Sequence, residues 1–319
     1  MTTTAATVPL PTAAPSPFHC GEQAVQARAG MRERIEQVGQ RFVRKFMPEQ
    51  HRAFFEELPM LLVGSLDPQG RPWASALAGL PGFITSPDPS MLSVEAQPFE
   101  SDPLTLNLSV GAPVGLLGIQ LETRRRNRAN GRITRLDPGG FAMQVEQSFG
   151  NCPKYIQLRQ PVWVGHDGKL AASRPEEARL SPLALGLIHR SDTFFIATAS
   201  ADAVRGGPGE GVDISHRGGP PGFVDVQERA GRTVLFVPDY LGNFMFNSLG
   251  NIVANPSAGL LFIDFASGDE LLLTGRSEVL WEPEQVAHYP GAQRLLRFGV
   301  EEGRWLEGAL SLRWSELGG

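Results

Sequence analysis

From Met60 onward the chain is built of short apolar or alternating runs. MLLVGSLD (60–67), PWASALAG (72–79) and VGLLGIQLE (114–122) are separated by turn residues such as those from Asp67 to Gly70. Such runs predict strands. Upstream the period is helical: Ile35, Val38, Phe42 and Phe46 recur with charged residues between them, until Pro48 stops the run. Pro48 can open a second short helix carrying Phe54, Phe55 and Leu58, since proline is tolerated in a first turn. After residue 180 the pattern begins again. Ser181 and Pro182 form an N-cap and first-turn pair for a helix through His189. TFFIATAS, VDISH, FVDVQE, TVLFVP, GLLFIDF and ELLLTGRSEV then read as strands, RGGPGEG (205–211) as a loop, and Ala292 to Phe298 as a final helix.

The two halves share more than rhythm. WASALAGLPGF (73–83) lies over DISHRGGPPGF (213–223), matching Ser75 with Ser215, Gly79 with Gly219, and the whole Pro-Gly-Phe. GLLGIQLE from Gly115 lies over GLLFIDFA from Gly259, and Gly131-Arg132 falls on Gly275-Arg276 at the same offset. Collinear matches in one order predict an internal duplication. The expected fold class is mainly β with flanking helices (α+β): two β-barrels in tandem, forming a pseudo-dimer within one chain. Closure of each barrel would remove exposed sheet edges. The expected organisation is a disordered tail over residues 1–17, helices over 18–58, one copy over 59–165, a second over 181–285, and a helical tail over 286–319.

Composition narrows the function. The chain has 319 residues, enough for one large or two ordinary domains. Its net charge of −5 argues against a nucleic-acid partner. Cys20 and Cys152 are far apart and form no CxxC, which speaks against a disulfide framework or a cysteine zinc site. Six scattered histidines show no HxxxH spacing, so no metal site is expected. No apolar run reaches the roughly 18 residues of a membrane span. Residues 1–17 carry no charged side chain, unlike a basic leader. These features predict a cytoplasmic protein with no membrane partner.

Candidate chemistry concentrates in the second copy. Alternate strand residues share a face, so Asp213, Ser215 and Arg217 point one way while Ile214 and His216 point the other. This separates Ser215 from His216 and excludes a hydrolase built on those neighbours. A forked guanidinium beside a hydroxyl suits a phosphate, although a surface arginine at a strand end has the same sequence pattern. The loop from Asp239 to Asn251 offers Asn243, Asn247 and Ser248, either as donors to phosphate and ribityl oxygens or as turn supports. GGPGEG (206–211) mimics a phosphate loop but lacks the strand–turn–helix context.

With VDISHRGGPPGFV, the Asn/Ser loop, an Asn-Pro before an apolar strand, and LTGRSEV in this order, the chain resembles the FMN-binding split-barrel family related to pyridoxamine 5′-phosphate oxidase. The match is best over Ser191 to Leu280 and weaker over Phe54 to Ile156. The resemblance implies FMN held between two barrels, usually from two subunits but here from one chain. It also places Arg125, Arg126 and Arg128 of ETRRRNRANGRI (122–133) where relatives carry a basic strand, although an arginine run equally describes a solvated face. FGNCPKYIQ (149–157) resembles stretches in relatives, which makes Lys154 and Tyr155 candidates for a flavin edge or a substrate anion. The family's C-terminal basic segment is not recognisable after Trp281, so identity with pyridoxamine 5′-phosphate oxidase itself is not implied.

The copies differ in a complementary way. Arg217 has Leu77 as its counterpart, and Arg125, Arg126 and Arg128 have Asp269, Glu270 and Leu272. Only one of two possible sites would keep its cations, which predicts one FMN per chain. The resulting expectation is an FMN-dependent oxidoreductase for a small-molecule substrate, compatible with a homodimer or a separate reductase. The same resemblance also covers non-catalytic modules for flavin, haem or deazaflavin, and flavin components of electron-transfer systems.

Overall fold

The computed structural model describes residues 15–165 and 172–316. Three helices, α1 (Cys20–Arg28), α2 (Arg32–Phe42) and α3 (Glu49–Glu56), precede the first copy. That copy comprises β1 (Met60–Leu66), β2 (Pro72–Ala78), β3 (Ile84–Thr85), β4 (Met91–Val94), the single turn α4 (Leu104–Asn107), β5 (Pro113–Gln120), β6 (Arg125–Asp137) and β7 (Gly140–Gly150). The connection carries β8 (Arg159–Trp163), β9 (Ser173–Glu177) and α5 (Pro182–Arg190). The second copy begins with β10 (Thr193–Ala199), β11 (Val212–Gly218), β12 (Asp225–Arg229) and β13 (Arg232–Asp239). It continues through α6 (Asn247–Ala254), β14 (Ser257–Ile263), β15 (Glu270–Leu280), α7 (Pro283–Val286) and β16 (Arg294–Leu306), before β17 (Leu312–Glu316).

The duplication is visible in the strand order. One antiparallel sheet runs β2-β1-β5-β6-β7-β4-β3 and the other β11-β10-β14-β15-β16-β13-β12, the same path traced twice. Register agrees residue by residue. Ser75 pairs with Val63, Val63 with Leu116 and Leu116 with Ala129, while Ser215, Ile196, Leu260 and Leu273 repeat that row. Both long strands break register at the same place, before Gly131 and before Gly275. β9 adds to the edge at β16, and β17 pairs with β8 in a separate ribbon.

The strands bury both faces, which is why their sequences read as near-continuous apolar runs. Leu61 and Val63 point into the first copy, and Phe194 and Ile196 into the second. Leu62, Leu117, Phe195, Ala197, Leu261 and Leu272 meet between the copies. Two glycines at equivalent positions permit that meeting. A Cβ on Gly115 would lie 2.7 Å from the Val212 carbonyl oxygen, and one on Gly259 would lie 2.5 Å from that of Pro72.

Several expectations need correction. The C-terminal region is not helical: after the short α7, the stretch from Ala292 to Phe298 leads into β16. Leu296, Phe298 and Val300 enter the second core, and β15 and β13 pair on either side. Two-sided ladder pairing outweighs the helix preference of Arg and Leu here. Residues 317–319 of that tail lie outside the described residues. α2 ends at Phe42, leaving Phe46 beyond it and both rings exposed. α1 falls within the helical span expected over 18–58, although its polar-rich sequence has no clear apolar stripe. Of the tail over 1–17, residues 1–14 lie outside the described residues; Ser16 and Pro17 pack, with Ser16 Oγ donating to Glu36 at 2.7 Å. Among the described residues no helix is long and apolar enough to cross a membrane.

Candidate functional site

A cleft with about 830 Å³ of free space, its open mouth included, lies where the two copies meet. Arg126 and Arg128 reach it from β6, whose pairing with Ile119 and Leu117 places them on the face toward the other copy. Ser215, His216 and Arg217 come from β11, Asn243, Asn247 and Ser248 from the loop and start of α6, and Lys154 and Tyr155 from the segment after β7. Arg125 is the exception. It donates to the Gln50 carbonyl at 2.8 Å and stacks over Phe54, because strand neighbours face opposite ways.

Arg128, 7% exposed, is the hub of the cleft floor. Its Nη2 donates to Ser215 Oγ, and its Nη1 lies 2.9 Å from Asn247 Oδ1 and 3.0 Å from Asp213 Oδ1. Ser215 Oγ also meets Ser248 Oγ at 2.7 Å. The guanidinium beside the Ser215 hydroxyl is thus Arg128, not Arg217. Arg217 Nη1 instead bonds Asp239 Oδ1 at 2.9 Å, and Arg294 holds the other carboxylate oxygen at 3.0 Å. Asn243 supports its own turn, its Oδ1 accepting from Met245 N at 3.1 Å.

Arg126 differs from both. Among the described residues it has no carboxylate partner; its Nη1 donates to His216 Nδ1 at 2.9 Å, and its buried Nε has no partner. Burial, and then the charge of Arg128, pull its pKa down to about 10. His216 is held neutral, first by burial and then by Arg126, Arg217 and Arg159. Because arginine only donates, the His216 proton resides on Nε2. Arg126, Arg128, Arg217 and Lys154 line the cleft against the single carboxylate of Asp239. Such a surplus favours an anion.

Aromatic rings frame the mouth. Tyr155 and Tyr240 lie with ring centroids 5.5 Å apart, and Tyr155 Oη donates to the Leu241 carbonyl at 3.1 Å. Tyr155, Phe244 and Phe246 hold left-handed backbone conformations, with φ of 65°, 62° and 60°. Side chains with a Cβ rarely adopt that region, and such strain concentrates at ligand sites. His216 and Tyr240 sat beside residues already singled out, so local strand and loop context could have found them. Arg294, far away in sequence, gave no such signal.

No family model matches the chain, and no curated protein matches it in sequence. Solved structures do show likeness. HupZ of Group A Streptococcus is 14% identical over 38% of this chain and 90% of its own, with a TM-score of 0.29. A Clostridium acetobutylicum protein of the pyridoxinephosphate oxidase family, related to general stress protein 26 of B. subtilis, is 15% identical over 42% and 92%, with a TM-score of 0.27. HutZ, the heme storage protein from Vibrio cholerae, is 11% identical over 40% and 95%, with a TM-score of 0.26. The fold is a split barrel, present twice. Its assignment here stands on the repeated strand order and register.

The two split barrels do not make equivalent sites. At the place related to the cleft by the duplication, Leu77 enters the first barrel's core and Glu270 replaces Arg126. Glu270 is 2% exposed, and its Oε1 has no partner among the described residues. Burial, and then Asp102, push its pKa well above the usual carboxylate range. Asp102 accepts from Ser75 Oγ at 2.7 Å and is itself pushed up to about 6 by burial. The acids at this place are thus Glu270 and Asp102; Asp269 turns away to accept from Gly308 N at 2.7 Å.

Proposed function

We propose that the cleft binds one FMN per chain without a covalent bond, and that the protein uses it as an oxidoreductase on a small organic substrate. The observation that carries this reading is Arg126: a largely buried guanidinium with no carboxylate among the described residues, its Nε unpartnered there, beside Arg128 in a cleft supplied by both barrels. Removing a cation from water without compensation is unfavourable, so such a group implies an anionic partner. Arg126 and Arg128 would hold the phosphate. Lys154 and Arg217 extend the positive field toward the mouth, while Tyr155, Tyr240, Phe244 and Phe246 offer flat apolar faces to a ring system. Bound FMN would supply the hydride or electron chemistry, with the chain positioning it. The Glu270–Asp102 place, acidic where this cleft is basic, supports a single site. Cytoplasmic location, a homodimer and a separate reductase remain expectations from the sequence.

One observation favours a second reading. His216 presents a neutral imidazole on the cleft wall; haem iron would have to take its Nδ1 lone pair from Arg126, since Nε2 carries the proton. Absorption spectra and chromatography of heat-released cofactor separate the readings. FMN at one equivalent supports the first and a haem Soret band the second. FAD, or no binding after reconstitution with excess FMN, rejects the first.

A further inference from the structure

α1 belongs to neither barrel, yet it is packed against the cleft's underside. A Cβ on Gly21 would lie 2.3 Å from the Gly250 carbonyl oxygen, and one on Gly250 would lie 2.5 Å from Glu22 Cα, so the two glycines let α1 touch α6. Two buried polar side chains use this contact. Gln26 Nε2 donates to the Met245 carbonyl at 3.0 Å, fixing the loop between Phe244 and Phe246. Glu22 Oε1 accepts from Asn247 Nδ2 at 2.5 Å, and the same amide's oxygen accepts from Arg128 at 2.9 Å. A relay of three side chains therefore runs from the N-terminal helix to the hub of the cleft.

The surroundings of Glu22 make its charge conditional. On its own helix stands His19, whose Nδ1 accepts from Gly21 N at 3.1 Å and whose burial keeps it neutral. Asp213 on β11 opposes ionisation of Glu22, and Arg128 on β6 favours it. Asn247 and Asn251 face it from α6, and Glu146 and Glu210 line the same acidic recess. Burial outweighs the rest and raises the Glu22 pKa to about 8, against the hydrogen bonds from His19 N and Asn247.

We propose that α1 is part of the anion site and that Glu22 is a positioning residue: uncharged, it holds Asn247 and through it Arg128; charged, it competes with the bound anion for Arg128. This rests on the anion-binding reading of the cleft. The full-length protein is titrated with FMN by flavin fluorescence at pH 7 and pH 9. The parent protein should bind at least about fivefold more weakly at pH 9, the lower end of usual site–site coupling. Glu22→Gln should lose that pH dependence, which separates a proton-linked role from simple packing whatever its absolute affinity. Asn247→Ala, which cuts the relay while keeping Glu22, should reduce the pH dependence as well. Equal affinity at both pH values in the parent, or an unchanged pH dependence in Glu22→Gln, overturns the proposal. If the parent binds no FMN, sulfate, whose charge is constant over this range, replaces it, with thermal stabilisation as the readout. A sulfate effect that fades by pH 9 in the parent but not in Glu22→Gln upholds the relay although FMN is rejected; no sulfate effect rejects both.

Discussion

Asp102→Asn should make the protein progressively more stable, relative to its parent, as the pH rises from 4 to 7.5. Asp102 is 2% exposed, and burial lifts its pKa from 3.8 to about 6. Between those values the unfolded chain releases a proton that the folded chain retains. The stabilisation is therefore fully present below the unfolded value and lost as the pH rises through the folded one. At about 1.4 kcal/mol per pH unit, the rise corresponds to about 3 kcal/mol. Glu270 does not reverse the sign, because it is itself driven toward its neutral form. Asparagine suits the test: Oδ1 accepts from both Ser75 Oγ and Leu104 N, whereas Oδ2 has no partner among the described residues. The amide keeps the first two bonds, and any penalty from its buried NH2 is the same at every pH. Urea unfolding of both proteins at several pH values gives the difference directly. It should move by about 2.4 kcal/mol in favour of the variant across the range, since a little of the full shift is already spent at pH 4. A difference that stays constant with pH would refute the buried, proton-retaining carboxyl.

Three further outcomes follow from the cleft and the barrel contact. Arg126→Ala should weaken FMN binding about 10- to 150-fold, the loss of an ionic hydrogen-bonded pair, while Arg125→Ala leaves it unchanged; fluorescence titration reads both. Arg217→Ala should cost less than about tenfold in the same assay, because Asp239 already occupies one arm of its fork, in contrast to a phosphate clamp that uses both. Gly115→Ala should destabilise the fold by about 1–3 kcal/mol in urea, since its methyl group would press on the Val212 carbonyl and on Asp213 at the barrel contact.

Most of the fold was legible because the duplication wrote its pattern twice. Ser75 with Ser215 and Gly131 with Gly275 fixed an alignment that the strand register repeats. β16 escaped because RLLRF has helix-friendly residues, although Pro290-Gly291 turns the chain just before it, and only its neighbours on both sides make it a strand. In the cleft, strand alternation decided what residue type could not. The same arginine run sends Arg126 and Arg128 inward and Arg125 outward. The exchange of roles between Arg217 and Arg128 was not legible. It depends on Asp239 standing beside one and Ser215 beside the other, contacts between elements remote in sequence. Glu22 was hidden for the same reason, on a helix whose sequence shows no stripe.

The covalent joining of the two barrels has a consequence for inheritance. In a symmetric dimer of identical subunits, each amino-acid change appears in both copies of a shared interface. An acid placed at the position of Arg126 would then damage every site at once. Here the corresponding codons are separate, so Glu270 could arise near Asp102 while Arg126 stayed opposite His216. The gene can specialise each half alone, and the connection through β8, β9 and α5 keeps unlike halves together at high effective concentration. A chain cut within that connection and re-expressed as two fragments would have to find its partner by diffusion, and a pairing of two second halves would bring no Arg126 or Arg128 to the cleft.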